Sequence, residues 1–251
     1  MHKNDIDLHT SLRDFVNFAA TLQPSNAGTF HADEQTLLET MCATLSKHPS
    51  AFDGNSTSHP SLAIVETYLP QLLGTMSDPT TRSTVENLTR HLNWYQIYDK
   101  ATINQSLAEG MFAAHVLGTR GLIKSTSLFL GLFLLGPGVH YPLHYHAAQE
   151  FYHVLSGEIA IQQGLRSEFK TLSEGMTSMT LPNRIHALET RDHPCLIMFL
   201  WTGDISGKNW WLSHLEEDLW QKDCWERQNS GVWINTERVT LRESGLATLE
   251  T

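Results

Sequence analysis

The sequence predicts an α+β protein, with a helical N-terminal region over residues 1–108 packed on a β-sandwich or barrel over residues 109–251. Three observations carry this. Apolar residues recur at three- and four-residue steps through the first hundred positions. Near Gly110 the pattern changes to short apolar or alternating runs separated by Gly, Pro and polar turns. Six of the seven tryptophans then fall at or after residue 201. Helical periodicity followed by many short strands is the pattern of a helical layer and an antiparallel sandwich or barrel.

Taken in order, Leu8, Leu12, Phe15, Val16, Ala19 and Leu22 share one helical face, and Pro24 follows as a stop. A second apolar series, Leu37, Leu38, Met41 and Leu45, begins near Asp33, and residues 48–60, rich in Ser, Asn, Gly and His, read as a loop. Residues 62–73 and 81–98 read as two more helices, with a turn signal at Asp78-Pro79 between them. Strands are expected at 111–117, 122–135, 149–155, 158–163, 167–171, 176–181, 185–189 and 195–201. The apolar run 128–135 (LFLGLFLL) reads as a strand buried on both faces; it is far short of the ~20 residues that cross a bilayer. The late tryptophans are expected to close the barrel or cover its helical layer.

The bulk numbers narrow the function. Across 251 residues the formal net charge is -10, which argues against nucleic acid, because phosphate binding needs a basic face. Nothing in the pattern points to a membrane. The three cysteines, Cys42, Cys195 and Cys224, are odd in number and form no CxxC pair. That excludes a disulfide framework and a thiolate zinc finger and fits a reducing compartment. Residues 1–25 show no basic start before a continuous apolar run. The expectation is a cytoplasmic protein.

The chemistry concentrates in Gly138-Val-His-Tyr-Pro-Leu-His144-Tyr-His146-Ala-Ala-Gln-Glu150-Phe-Tyr152-His-Val-Leu-Ser-Gly157. On a strand, residues two apart share a face, so His144 and His146 can aim inward together. Glu150 and Tyr152 form a second such pair. Two imidazoles and a carboxylate suit a divalent iron, zinc, manganese or nickel ion. The remaining candidates His91, His115, His140, His153, His193 and His214 lack ligand spacing; His153 is expected on the face of its strand opposite Tyr152.

This segment matches the first signature motif of the cupin superfamily, G-x5-HxH-x3-E-x6-G, at every defined position. The second motif is looser: Gly175, Pro182 and His186 stand where the family places its Gly, Pro and last ligand, but Arg184 replaces a usual Gly and Thr190 a usual Asn. The resemblance implies a jelly-roll barrel holding one metal ion through His144, His146, Glu150 and His186.

Within the cupins, the run Tyr141-Pro-x-His144-x-His146-x3-Glu150-x-Tyr152 resembles dimethylsulfoniopropionate (DMSP) lyases of the Ddd group. So do Trp201, fifteen residues beyond His186, and the helical lead, which looks closer to the DddL or DddQ branches. The resemblance implies a carbon–sulfur lyase that eliminates dimethyl sulfide from DMSP, leaving acrylate, with the DMSP carboxylate on the metal. Tyr152 maps to the family's proposed base, and Tyr141 to a second tyrosine that binds substrate or competes for that role. Strand alternation alone does not turn Tyr141 inward; an irregularity at Pro142 would. Trp201 and Tyr141 are candidates to surround the sulfonium, and a core role for Trp201 stands beside that reading. Other readings are an iron-dependent dioxygenase, a lyase-like cupin with a different native substrate, and a non-catalytic sensor. A homodimer is expected, because cupins often pair through barrel edges.

Overall fold

In the computed structural model the described residues are 8–22, 43, 62–205, 207–246 and 249. Helix α1 (Leu8–Ala20) buries Leu12, Phe15 and Ala19 along one stripe. Helices α2 (Ala63–Thr75) and α3 (Pro79–Thr89) follow. The turn signal at Asp78-Pro79 is the start of α3: the Asp78 carboxylate accepts the Thr81 amide at 2.7 Å, and Pro79 sits in the first turn, where its missing N–H leaves no bond unmade. The expected apolar series at 37–45, the loop at 48–60 and Cys42 lie outside the described residues.

The helix expected over 81–98 is shorter than its pattern. It ends at Thr89, and Tyr95–Gln96 form strand β1, paired with Ala113 and Phe112 of β2 (Met111–Leu117). Gln96 supplies the reason. Its buried amide donates to the carbonyls of Leu107 and Ala108 at 3.0 and 2.8 Å, both in the short helix α4 (Gln105–Gly110). That tertiary anchoring outweighs helix propensity in the residues before it.

Ten strands follow β2: β3 (Phe129–Leu135), β4 (His140–His146), β5 (Ala148–Gln163), β6 (Lys170–Ser173), β7 (Thr177–Thr180), β8 (His186–Glu189), β9 (Cys195–Gly203), β10 (Asn209–Glu216), β11 (Leu219–Arg227) and β12 (Trp233–Arg242). All pair antiparallel, in two sheets. One runs β1-β2-β3-β9-β5-β7, the other β12-β11-β10-β4-β8-β5-β6. Strand β5 belongs to both, which makes the expected strands 149–155 and 158–163 one strand, with a bulge between Val154 and Ser156. Of the run 122–135, only 129–135 is strand. Of the six late tryptophans, Trp201 lies on β9 and the other five on three long strands, β10 to β12. The free ends of the two sheets meet where Tyr98 bridges Trp233: the Trp233 amide donates to Ile97 at 2.9 Å and the Asp99 amide to Trp233 at 3.0 Å.

The unbroken apolar character of β3 has a cause in the layering. Leu130, Leu132 and Leu134 join the cluster under α1, α2 and α3, while Phe129, Phe133 and Leu135 face the interior between the sheets. Strand β9 divides in the same way, with Leu196, Met198 and Leu200 toward the helices and Ile197 and Phe199 inside. The helices therefore cover one face of a sheet whose other face is already buried. Each such leucine contributes about 1.5–3 kcal/mol. Gly131 is needed between them: a Cβ there would lie 2.4 Å from the Ala114 carbonyl oxygen and 2.6 Å from the Phe199 ring.

Candidate metal centre and pocket

Strand β4 carries His144 and His146, and its register with β8 sets His144 opposite His186. All three are buried, and their ligating nitrogens lie within 4.8 Å of one another. Each ring is oriented by a carbonyl two residues away in the chain: Nδ1 of His144 lies 2.8 Å from the Pro142 oxygen, that of His146 2.9 Å from Ala148, and that of His186 2.9 Å from Arg184. With Nδ1–H donating there, Nε2 of each ring is a lone pair facing the centre.

Glu150, fully buried on β5, completes the set. Its Oε2 lies 3.3 Å from His146 Nε2 and 3.2 Å from His186 Nε2. Burial pushes the Glu150 carboxyl up, but the neighbouring imidazoles of His146 and His186 outweigh it and hold the group below the ordinary carboxylate range. Burial first, then the other two imidazoles, hold His144 well below the ordinary histidine range. Three imidazole lone pairs and a carboxylate aimed at one point repel one another unless a cation stands between them, and His186 Nε2 is a buried atom with no hydrogen-bond partner. The residues fit a divalent ion with an N3O donor set.

The indole N–H of Trp201 donates to Glu150 Oε1, and its ring lies 4.2 Å from that of His146. Trp201 thus orients a candidate ligand as well as lining the pocket. Tyr152 is buried on the same face as Glu150, as strand alternation requires; burial and then the Glu150 charge push its phenol well above the ordinary value. His153 faces the other way, with its ring 5.9 Å from Phe18 of α1.

Tyr141 does turn inward. The pairing of β4 with β8 slips by one residue between Tyr141 and His144, and this bulge at Pro142 brings the Tyr141 ring to 4.0 Å from His144, stacked at 27°. Its hydroxyl bonds to that of Tyr98 and accepts the Asn209 side-chain N–H at 2.9 Å. Asn209 also donates to Tyr98 at 2.5 Å, and Trp211 Nε1 donates to Tyr98 at 3.3 Å. Burial and the neighbouring phenol hold Tyr141 well above the ordinary tyrosine range.

Comparison with known proteins follows the same line. The sequence model of the dimethylsulfoniopropionate lyase family matches residues 34–197, more than half of the chain. The chain belongs to that family. It is similar to dimethylsulfoniopropionate lyase DddQ of Ruegeria pomeroyi, 26% identical over 113 residues, which are 45% of this chain and 55% of the relative. The match therefore spans about half the length of that curated protein. Among solved structures it is similar to a chain from the crystal structures of DMSP lyases RdDddP and RnDddQII (TM-score 0.58, 19% identity, 78% of this chain and 93% of the other). It is also similar to DMSP lyase DddQ from Ruegeria pomeroyi DSS-3 (TM-score 0.54, 21% identity, 71% and 91%). At these identities the likeness shows the fold, a cupin jelly-roll preceded by helices.

The family's loose second motif has a local explanation here. The left-handed backbone position falls on Asn183, at φ 63°, a residue type that tolerates it, so Arg184 needs no glycine's freedom. Thr190 ties two segments together, accepting the Val139 amide at 3.0 Å and donating to the Gly136 carbonyl at 2.5 Å. The pocket also contains residues that sequence reasoning missed: Tyr98, Asn209, His115, Arg120 and Arg227. Tyr98 sat at the end of an expected helix, and the others carry no spacing signal.

Proposed function

We propose that this protein is a metal-dependent lyase that converts DMSP to dimethyl sulfide and acrylate. The observation that carries the reading is a cluster of three imidazoles and Glu150 that reaches, through His144 and Glu150, a cavity also lined by two buried phenols, Tyr152 and Tyr141. His144, His146, Glu150 and His186 would hold the ion. When bound, the ion supplies Lewis-acid charge that stabilises an anion developing beside a carboxylate. Iron, zinc, manganese and nickel all suit the donors.

The residues do the rest. A phenolate takes the proton from the carbon next to the carboxylate, the C–H electron pair becomes the carbon–carbon double bond, and the carbon–sulfur bond breaks with its pair leaving on dimethyl sulfide. Tyr152 is the first reading for that base, since it stands beside Glu150. A second reading, Tyr141, is favoured by the donor that meets its oxygen: the Asn209 N–H can stabilise a phenolate. Trp201 and the Tyr141 ring supply aromatic surface for the sulfonium.

The test is gas chromatography of dimethyl sulfide from metal-stripped and individually reloaded protein, with Tyr152→Phe and Tyr141→Phe beside the wild type. Loss of the base lowers kcat by about 10²–10⁴ with metal content unchanged. Absence of dimethyl sulfide from every reloaded form overturns the reading, and substrate-dependent oxygen uptake would replace it with a dioxygenase. No helix among the described residues is long and apolar enough to cross a membrane. A cytoplasmic location and a homodimer complete the proposal; the buried free thiols of Cys195 and Cys224 support a reducing compartment.

A further inference from the structure

The cavity that reaches His144 and Glu150 also exposes Tyr95, His115, Arg120 and Arg227. Arg120 comes from the β2–β3 connection, and its guanidinium carbon lies 3.5 Å from the centre of the Tyr95 ring. Arg227 ends β11 and lies over Phe129 at 4.6 Å and Trp233 at 5.4 Å. Neither forms a salt bridge with a carboxylate among the described residues. Arg227 donates to the Ile205 carbonyl at 2.5 Å, whereas Nη1 of Arg120 is buried without a partner. Among the described residues the one carboxylate lining this cavity, Glu150, is committed to His146, His186 and Trp201.

The arrangement is built. Gly231, in the β11–β12 turn at φ 84°, makes room for Arg120; a Cβ there would meet its Cδ at 2.1 Å. Burial, then the charges of Arg227 and Arg120, push His115 down to about 3, so it stays neutral and adds no third charge. Its Nδ1 is another buried atom without a partner. Two guanidiniums facing a largely aromatic cavity with unused donors are costly unless an anion joins them. Cation–π contacts with Tyr95, Phe129 and Trp233 return less than a charge partner would.

We propose that Arg120 and Arg227 form a second anchor in the cavity, separate from the metal end, that binds the carboxylate of a small organic acid. Guanidiniums match a carboxylate's planar pair of oxygens. The same charges exclude an organic cation such as a sulfonium from this end. The assignment does not depend on the lyase reading, because the anchor acts without metal.

The experiment is titration of metal-stripped, full-length protein with propionate, followed by calorimetry and by tryptophan fluorescence, since Trp201 and Trp233 line the cavity. Saturable binding is expected, weakened about tenfold or more in Arg120→Gln and in Arg227→Gln, a loss equal to about 1.4 kcal/mol or more. Arg227→Lys keeps the charge and retains part of the binding, and unchanged circular dichroism and thermal melting of both Gln variants separate lost recognition from lost folding. No binding to the metal-stripped wild type, or binding unchanged in both Gln variants, overturns the proposal. Dimethyl sulfide release by reloaded wild-type protein is scored separately, so failure of the anchor and failure of the lyase reading are told apart.

Discussion

At the metal end of the cavity, His144, His146 and Glu150 come from one stretch of chain and His186 from the neighbouring strand β8. The three imidazoles are aimed by carbonyls two residues away, at Pro142, Ala148 and Arg184. Along the rest of the cavity wall, Tyr98, Arg120, Asn209 and Arg227 come from four separate parts of the chain; Asn209 bonds to Tyr98, and Tyr98 lies at the meeting of distant strands. The first end organises itself over a few residues. The second exists only when both sheets are complete. Damage to the wall should therefore change turnover and leave metal binding intact, while damage to the metal end should abolish both.

The largest expected effect tests the metal end. In His186→Ala, metal content measured by mass spectrometry falls to background, and dimethyl sulfide production with it. A variant that keeps its metal and its rate would sink the four-ligand assignment. The next test is on the wall. Asn209→Ala removes N–H donors from Tyr141 and Tyr98, and kcat is expected to drop about 10–100-fold at unchanged metal content, since hydrogen bonds to a charged partner contribute about 1.5–3 kcal/mol. Equal loss of metal would dissolve the distinction between the two ends.

The smallest effect lies between them. Trp201→Phe keeps a ring beside His146 but removes the N–H that holds Glu150. Metal affinity should weaken about 10-fold, at the lower end of what loss of such an orienting partner costs. Competition with a chelating dye measures it; unchanged affinity would return Trp201 to a purely packing or substrate-facing role.

The same contrast decides what could be read from the chain beforehand. The grouping of His144 with His146 and of Glu150 with Tyr152 was legible because strand alternation converts His144-x-His146 and Glu150-x-Tyr152 directly into shared faces. Tyr141 was legible only as a residue needing an irregularity, which the bulge at Pro142 supplies. The doubly buried β3 could be read from its composition, though not which layer covered it. Tyr98 and Asn209 could not be read at all: 111 residues separate them, and their meeting depends on sheet order. The early end of α3 was likewise decided by Gln96, whose partners lie on another element.

The join between Ile97, Asp99 and Trp233 has a dynamic consequence. Two backbone hydrogen bonds, of 2.9 and 3.0 Å, stitch the ends of the two sheets together beside Tyr98, whereas β5 and β9 share a long ladder. At about 0.5–1.5 kcal/mol net for each bond, this stitch is weaker than any of the long ladders around it. In amide exchange, Asp99 and Trp233 should therefore open by local fluctuation and lose protection before the strands that carry the three histidines and Glu150. The floor of the cavity would stay rigid while one corner of its wall breathes.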